Sequence, residues 1–254
     1  DITDVFLTHL HFDHVGGSVE RRADGLLVPA FQNATYWSNA RHWQWATEPN
    51  PREKASFLKE NILPLQESGQ LRFLDTPDGV RTVDTPLGFQ VVVVNGHTEA
   101  QMLPLIPHQG SHLLYMGDLL PSVGHIPLPY VMGYDTRPLI TLEEKSEILH
   151  RAAQENWTLF LEHDAVNTWC RLAETEKGPR LAEALRRGGA RPRRCAQRAA
   201  PSRRVCIGAA PHPRFRRTRC GARSARRSLV DHVARRRAAR RHSVLPRGLA
   251  RADR

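Results

Sequence analysis

Val5-Phe6-Leu7-Thr8-His9-Leu10-His11-Phe12-Asp13-His14-Val15-Gly16-Gly17 is the stretch that decides how this chain is read. A short apolar run of the kind that forms a buried strand passes directly into His9, His11, Asp13 and His14. In a chain still extended at that point, His9 and His11 project to one side, and Leu10 and Phe12 to the other, where they can pack. Asp13 and His14 then follow at the turn, where Gly16-Gly17 permits tight backbone. One histidine at a strand end is usually a satisfied polar residue. A cluster this dense has no ordinary packing rationale, and it predicts a metal centre.

Three later apolar runs repeat the arrangement. Val91 to Val94 leads to Asn95-Gly96-His97, Leu113 to Met116 leads to Gly117-Asp118, and Thr158 to Leu161 leads to Glu162-His163. Strand ends are where a rigid sheet can bring side chains from distant positions to one point. His9, His11 and His97 are expected around one cation, and Asp13, His14 and His163 around a second. Asp118 is expected between them, because a carboxylate has two oxygens to share. Imidazole and carboxylate ligands suit zinc first, and also manganese, iron or cobalt.

Between these strands lie helix signals. Asn50-Pro51-Arg52-Glu53 predicts a capped helix start ahead of Ala55, Leu58 and Ile62. Thr141-Leu142-Glu143-Glu144 reads as a second capping box, opening a helix that stops near Asn156. Alternating strands and helices at irregular spacing predict a layered α/β fold. Tyr36, Trp37, Trp43 and Trp45 are expected mainly in the core. Ser18, Asp24 and Asp135 read as turn residues. The long segment from Leu119 to Pro138 must start at the site, so His125, Tyr130 and Tyr134 are candidate substrate contacts.

His9-Leu10-His11-Phe12-Asp13-His14 with Gly16-Gly17, followed in order by Gly96-His97-Thr98, Gly117-Asp118 and Glu162-His163, resembles the signature of the metallo-β-lactamase superfamily. The resemblance covers residues 1 to about 180 and implies an αββα sandwich with its site at one edge, between the sheets. It also implies two divalent metal ions, a metal-bound hydroxide as nucleophile, and catalytic roles for Asp13 and Asp118. A carboxylate at Asp118 resembles the dinuclear hydrolases more than the true β-lactamases. Asn50 to Asp75 and Gly124 to Tyr130 resemble the lactonase and organophosphate hydrolase branch, which implies a lactone, carboxylic ester or phosphotriester substrate. Two departures stand out. The family's Gly-His-Thr-Pro-Gly-His reads Gly96-His97-Thr98-Glu99-Ala100-Gln101 here, without the second histidine. Family members also have strands before the first motif, so an N-terminally truncated sandwich with an open edge is expected.

The formal net charge of +11 conceals two kinds of polypeptide. Residues 180–254 hold 24 arginines, no lysine and 3 acidic residues, so the preceding part is net acidic. That composition buries too little apolar surface to offset the entropy of ordering. The reading is therefore a metal-hydrolase domain over 1–180 and a disordered, basic tail over 181–254. Arg, Ala, Pro and Gly are also what GC-rich coding sequence yields out of frame, so a frameshifted terminus is one origin for it. A basic run can bind nucleic acid, but few aromatics and no helix-turn-helix pattern make a nuclease or nucleic-acid-binding protein the weaker alternative. Within the superfamily, a glyoxalase II-like thioesterase and a mononuclear iron persulfide dioxygenase are further alternatives. Three of the four cysteines fall in the tail at irregular spacing, which excludes a disulfide framework. Cys170 reads as a small buried residue rather than a nucleophile. No run approaches a membrane span. The expected partner is a small-molecule substrate. Compartment and oligomeric state stay open, with the cytoplasm favoured and a homodimer among the options.

Overall fold

The computed structural model describes residues 2–79, 81–186 and 204–207. In chain order these form β1 (Asp4–Phe6), α1 (Phe12–Val15), β2 (Val19–Arg21), β3 (Leu27–Pro29), β4 (Thr35–Asn39), α2 (Ala40–Thr47), α3 (Lys59–Glu67), β5 (Leu71–Leu74), β6 (Thr82–Asp84), β7 (Gln90–Val94), β8 (Gln101–His108), β9 (Ser111–Tyr115), α4 (Pro138–Gln154), β10 (Thr158–Phe160), β11 (Asn167–Ala173), β12 (Arg180–Arg186) and β13 (Val205–Ile207). One sheet has the order β13-β1-β4-β5, and its neighbours are all parallel. A second runs β12-β11-β10-β9-β8-β7-β6 and is antiparallel except where β9 meets β10. β2 and β3 make a separate hairpin. No helix among the described residues is long and apolar enough to cross a membrane.

Strand periodicity sorts the apolar side chains into three cores, because successive residues face opposite sides of a sheet. Phe6, Leu74, Phe89, Val91 and Met102 meet between the two sheets. Val5, Leu7 and Tyr36 face the other way and pack with Trp43 and Ala46 of α2 and Ile62 and Leu65 of α3. Val92, Val94, Leu103 and Leu105 form the outer face of the larger sheet, under Ile148, Leu149 and Ala152 of α4. Helix, sheet, sheet, helix: the αββα sandwich is present. Tyr36 and Trp43 are core residues as expected, and Trp37 packs against the inter-sheet core.

Several expectations change. β1 is an interior strand, with β4 on one side and Val205–Ile207 on the other, so the open edge expected at the first motif is filled. The boundary expected at residue 180 falls inside β12, which pairs with β11 as far as Arg186. Beyond Arg186, residues 204–207 of the expected disordered tail are described and Val205–Ile207 form β13; the rest of that tail lies outside the described residues. Neither capping box opens its helix. Asn50 Oδ1 accepts from the N–H groups of Arg52 and Glu53 and closes a local turn, and α3 starts only at Lys59. Asn and Asp side chains stabilise such turns as readily as helix starts. α4 begins at Pro138, a turn ahead of the second box, and ends near Asn156 as expected. Glu144 leaves the capping role and accepts instead from the N–H groups of Asn95 (2.7 Å) and Gly96 (2.9 Å).

That contact helps to fix the loop between β7 and β8, which carries His97. A Cβ at Gly96 would collide with the backbone of Thr141, so only glycine lets α4 approach this closely. At the far end of the loop Ala100 adopts a left-handed backbone, with φ of 51°, where the family motif has glycine. Its N–H is held by Asn95 Oδ1 (3.0 Å) and its carbonyl by Asn39 Nδ2 (2.8 Å), which impose a conformation that alanine disfavours. Relief of the strain outweighs the greater flexibility of unfolded glycine, so Ala100→Gly should raise stability by about 0.5–1 kcal/mol. Denaturant unfolding at constant m-value measures this, and a destabilised variant would show that Ala100 is not strained.

Candidate metal centre

The loops that follow β1, β7, β9 and β10 converge where the strand-end motifs predict. His9, His11, His97 and Asp118 place one ligand atom each within 4.8 Å of one another, and Asp13, His14 and His163 form a second such group. Asp118 joins the two. Its Oδ1 lies 3.1 Å from His14 Nε2 and 2.9 Å from His163 Nε2, while its Oδ2 lies 3.2 Å from His97 Nε2 and 3.9 Å from His9 Nε2. All seven sequence-predicted ligand positions thus come together, in the predicted grouping.

The spacing fits cations. Two ligands on one tetrahedral ion at bonds of ~2.0–2.1 Å stand about 3.3 Å apart. His97 Nε2 and His11 Nδ1 are 3.1 Å apart, and His163 Nε2 and His14 Nε2 are 3.2 Å apart. His9 Nε2 is buried and has no hydrogen-bond partner, an orphaned lone pair that a cation would satisfy. Burial pushes the pKa values of His9 and His11 down, which keeps both rings neutral and able to donate a lone pair. At the second group the carboxylates prevail. Burial opposes charge on His14, yet its hydrogen bonds to Asp118 and Glu162 raise its pKa to about 10. Against the same burial penalty, hydrogen bonds from His14 and His163 hold Asp118 well below the usual carboxylate range. The pocket therefore attracts positive charge, which protons or divalent cations can supply.

Four of the five imidazoles, all but His163, meet a partner outside the cluster. His97 Nδ1 donates to Asp135 Oδ1 (3.0 Å), His11 Nε2 reaches Glu53 Oε1 (3.4 Å), His14 Nδ1 faces Glu162 Oε2 (3.1 Å), and His9 Nδ1 meets Thr8 Oγ1 (3.2 Å). Such partners fix which nitrogen keeps its lone pair. Asp135 closes the expected turn, its N–H donating to the Met132 carbonyl (3.1 Å), and its side chain, 3% exposed, also serves His97. Glu53 was expected in a helix cap. It is buried, with Thr98 Oγ1 (2.6 Å), Asn50 Nδ2 (2.7 Å) and Trp45 Nε1 (2.6 Å) donating to it. Phe12, expected to pack, is half exposed at the rim.

His42 is a residue that the motifs do not reveal. Its Nε2 accepts from Leu10 N–H (2.8 Å) and its Nδ1 donates to the Glu99 carbonyl (2.5 Å), so it ties the His9/His11 segment to the His97 loop. The geometry requires a neutral ring, and burial lowers its pKa to about 3. Glu99 itself is held by Arg41 (3.1 Å) and Arg137 (2.7 Å), the latter stacked over Trp45.

The substrate candidates separate. Tyr134 lines a cavity of about 740 Å³ over the cluster, together with Phe12, Asp13, Arg52, Ala55 and Met132. His125 and Tyr130 do not line it. Their carbonyls accept from the buried ammonium of Lys145, at 2.7 and 2.5 Å, and this draws their segment onto α4 instead. Cys170 is buried on β11, its thiol pushed up to about 12, which removes it as a nucleophile.

Residues 1–163 match the family described as the metallo-beta-lactamase superfamily. The chain belongs to that superfamily. No curated protein matches it. Among solved structures, this superfamily member is similar to a probable metal-dependent hydrolase from Staphylococcus aureus, with 22% identity and a TM-score of 0.64, covering 75% of this chain and 64% of that one. It is also similar to AidC, a dizinc quorum-quenching lactonase in complex with a homoserine product, with 21% identity and a TM-score of 0.59 over 71% of this chain and 64% of that one. A third is the hydrolase AbOPH of the beta lactamase superfamily, at 21% identity and a TM-score of 0.57 over 70% and 63%. The chain spans less than two thirds of each of these proteins, and at these identities the likeness speaks for the fold.

His42 gives a pH prediction. Between its ordinary pKa of 6.5 and its folded value of about 3, the unfolded chain binds a proton that the native state does not. Stability should therefore fall as pH falls through that window, by up to about 1.4 kcal/mol per pH unit from this group. His42→Gln keeps an acceptor and a donor but cannot titrate. The difference in unfolding free energy between wild type and variant should slope with pH between 6.5 and 3. A difference independent of pH would show that His42 is not buried neutral.

Proposed function

We propose that this superfamily member is a dinuclear metal-dependent hydrolase that cleaves an ester-like bond in a small molecule: a lactone, a carboxylic ester or a phosphotriester. The observation that carries this reading is Asp118, whose two oxygens face two separate groups of imidazoles. His9, His11 and His97 would hold one cation, Asp13, His14 and His163 the other, and Asp118 both. Zinc is the first choice, and manganese, iron or cobalt share the ligand chemistry. Bound divalent cations supply Lewis acidity at the ester oxygen and lower the pKa of water towards neutrality.

The chain's own residues supply the rest. Asp13 is partly exposed and lines the cavity beside Asp118, so its carboxylate oxygen that does not face His14 and His163 can take a proton and pass it to a leaving oxygen. Phe12, Ala55 and Met132 form apolar wall that shields the reacting ester and binds its substituents. The Tyr134 hydroxyl, on an exposed ring at the cavity, is placed to donate a hydrogen bond to the substrate. The cavity volume is within the usual range for small-molecule sites, roughly 300–1,000 Å³. A glutathione thioester would fit the same chemistry, whereas a single-iron dioxygenase leaves the second ligand group unexplained.

The test is a panel of lactone, aryl ester, phosphotriester, β-lactam and thioester substrates, each with zinc, manganese or cobalt and with chelator. Chelator-sensitive turnover of a lactone, ester or phosphotriester is expected. Asp118→Ala should lower kcat/KM by about 100-fold or more, since even residues outside the ligand set can cost 10–100-fold. Tyr134→Phe should shift substrate preference at unchanged metal content. Chelator-insensitive cleavage, or a β-lactam preference, would overturn the assignment.

A further inference from the structure

Two carboxylates outside the ligand set orient imidazoles of the first group, and they come from distant parts of the chain. Glu53 serves His11 and Asp135 serves His97, and both are 3% exposed. Neither lies in a helix or strand. Glu53 belongs to the Asn50 turn, and Asp135 to the segment before α4. Irregular backbone holds a side chain only as well as the backbone itself is held.

One side chain joins the two segments directly. An Arg52 guanidinium nitrogen donates to the carbonyls of Gly133 (2.6 Å) and Asp135 (3.2 Å). The residue next to Glu53 thus grips the backbone of Asp135 itself. Arg52 also lines the substrate cavity, opposite no acidic partner in the salt bridges among the described residues. We infer that Arg52 is a positioning residue: it clasps the Glu53 and Asp135 segments together, and through them sets the orientation of His11 and His97. Among the described residues the Arg52 side chain bonds only to that segment, whereas in the second ligand group His14 faces Glu162, just past β10.

That asymmetry makes the inference testable apart from catalysis, and it rests on the two-group reading of the site. The experiment is zinc titration of the full chain against a chromophoric chelator, for wild type, Arg52→Met and Arg52→Lys. Wild type should bind two equivalents. Arg52→Met should weaken one equivalent by about 10–100-fold, the usual cost of losing an outer orienting partner, and leave the other at its wild-type affinity. Arg52→Lys, which can still donate to a carbonyl, should recover part of the loss. Two equivalents bound as in wild type, or both weakened together, would overturn the clasp. A wild-type chain that binds a single equivalent would instead overturn the dinuclear reading on which it stands.

Discussion

The carboxylate of Asp118 is the contact on which the rest of the site depends. It is buried and anionic, and its two oxygens are shared between imidazoles that arrive from three other loops. An unpaired buried charge costs several kcal/mol, so the loops after β1, β7, β9 and β10 are stable together in a way that none is alone. The sandwich delivers these loops to one edge of the two sheets. Close approach then needs small or constrained backbone at two points. Gly96 admits the N-terminus of α4, and Gly117, at φ of 46°, turns the chain into Asp118.

Around that contact lies a polar interior that is unusually well supplied with orienting groups. Glu53, Asp135, Glu162 and Thr8 each meet one imidazole, and His42 ties two ligand segments by their backbone. Glu99 and Ala100 show how this chain accommodates its departures from the family motif. Glu99 brings Arg41 and Arg137 onto the His97 loop, and Asn39 and Asn95 hold Ala100 in a backbone that glycine would adopt freely. The loop keeps its shape with different residues.

Much of this was legible in the sequence, and the boundary of legibility has a physical cause. The ligands were readable because each sits at fixed spacing after an apolar run, and strand geometry turns spacing into direction. All seven positions converge as that pattern implied. The orienting residues were not readable, since a carboxylate that serves a distant histidine carries no local signature. Asn50 to Glu53 and Thr141 to Glu144 have the composition of capping boxes, yet Glu53 and Glu144 are drawn to Thr98 and to the Gly96 backbone by tertiary contacts. Asp135 was hidden among turn residues for the same reason. His125 and Tyr130 were misplaced because Lys145, a residue with no visible link to them in sequence, captures their carbonyls. The strand at Val205–Ile207 was masked by the Arg-rich composition around it.

The most direct measurement is anomalous diffraction at the zinc edge from crystals of the full chain grown with zinc. Two ordered peaks per chain should be found, one against Asp118 Oδ2 among His9, His11 and His97, the other against Oδ1 among Asp13, His14 and His163. A single peak, or a second one that does not touch Asp118, would contradict a dinuclear centre bridged by that carboxylate.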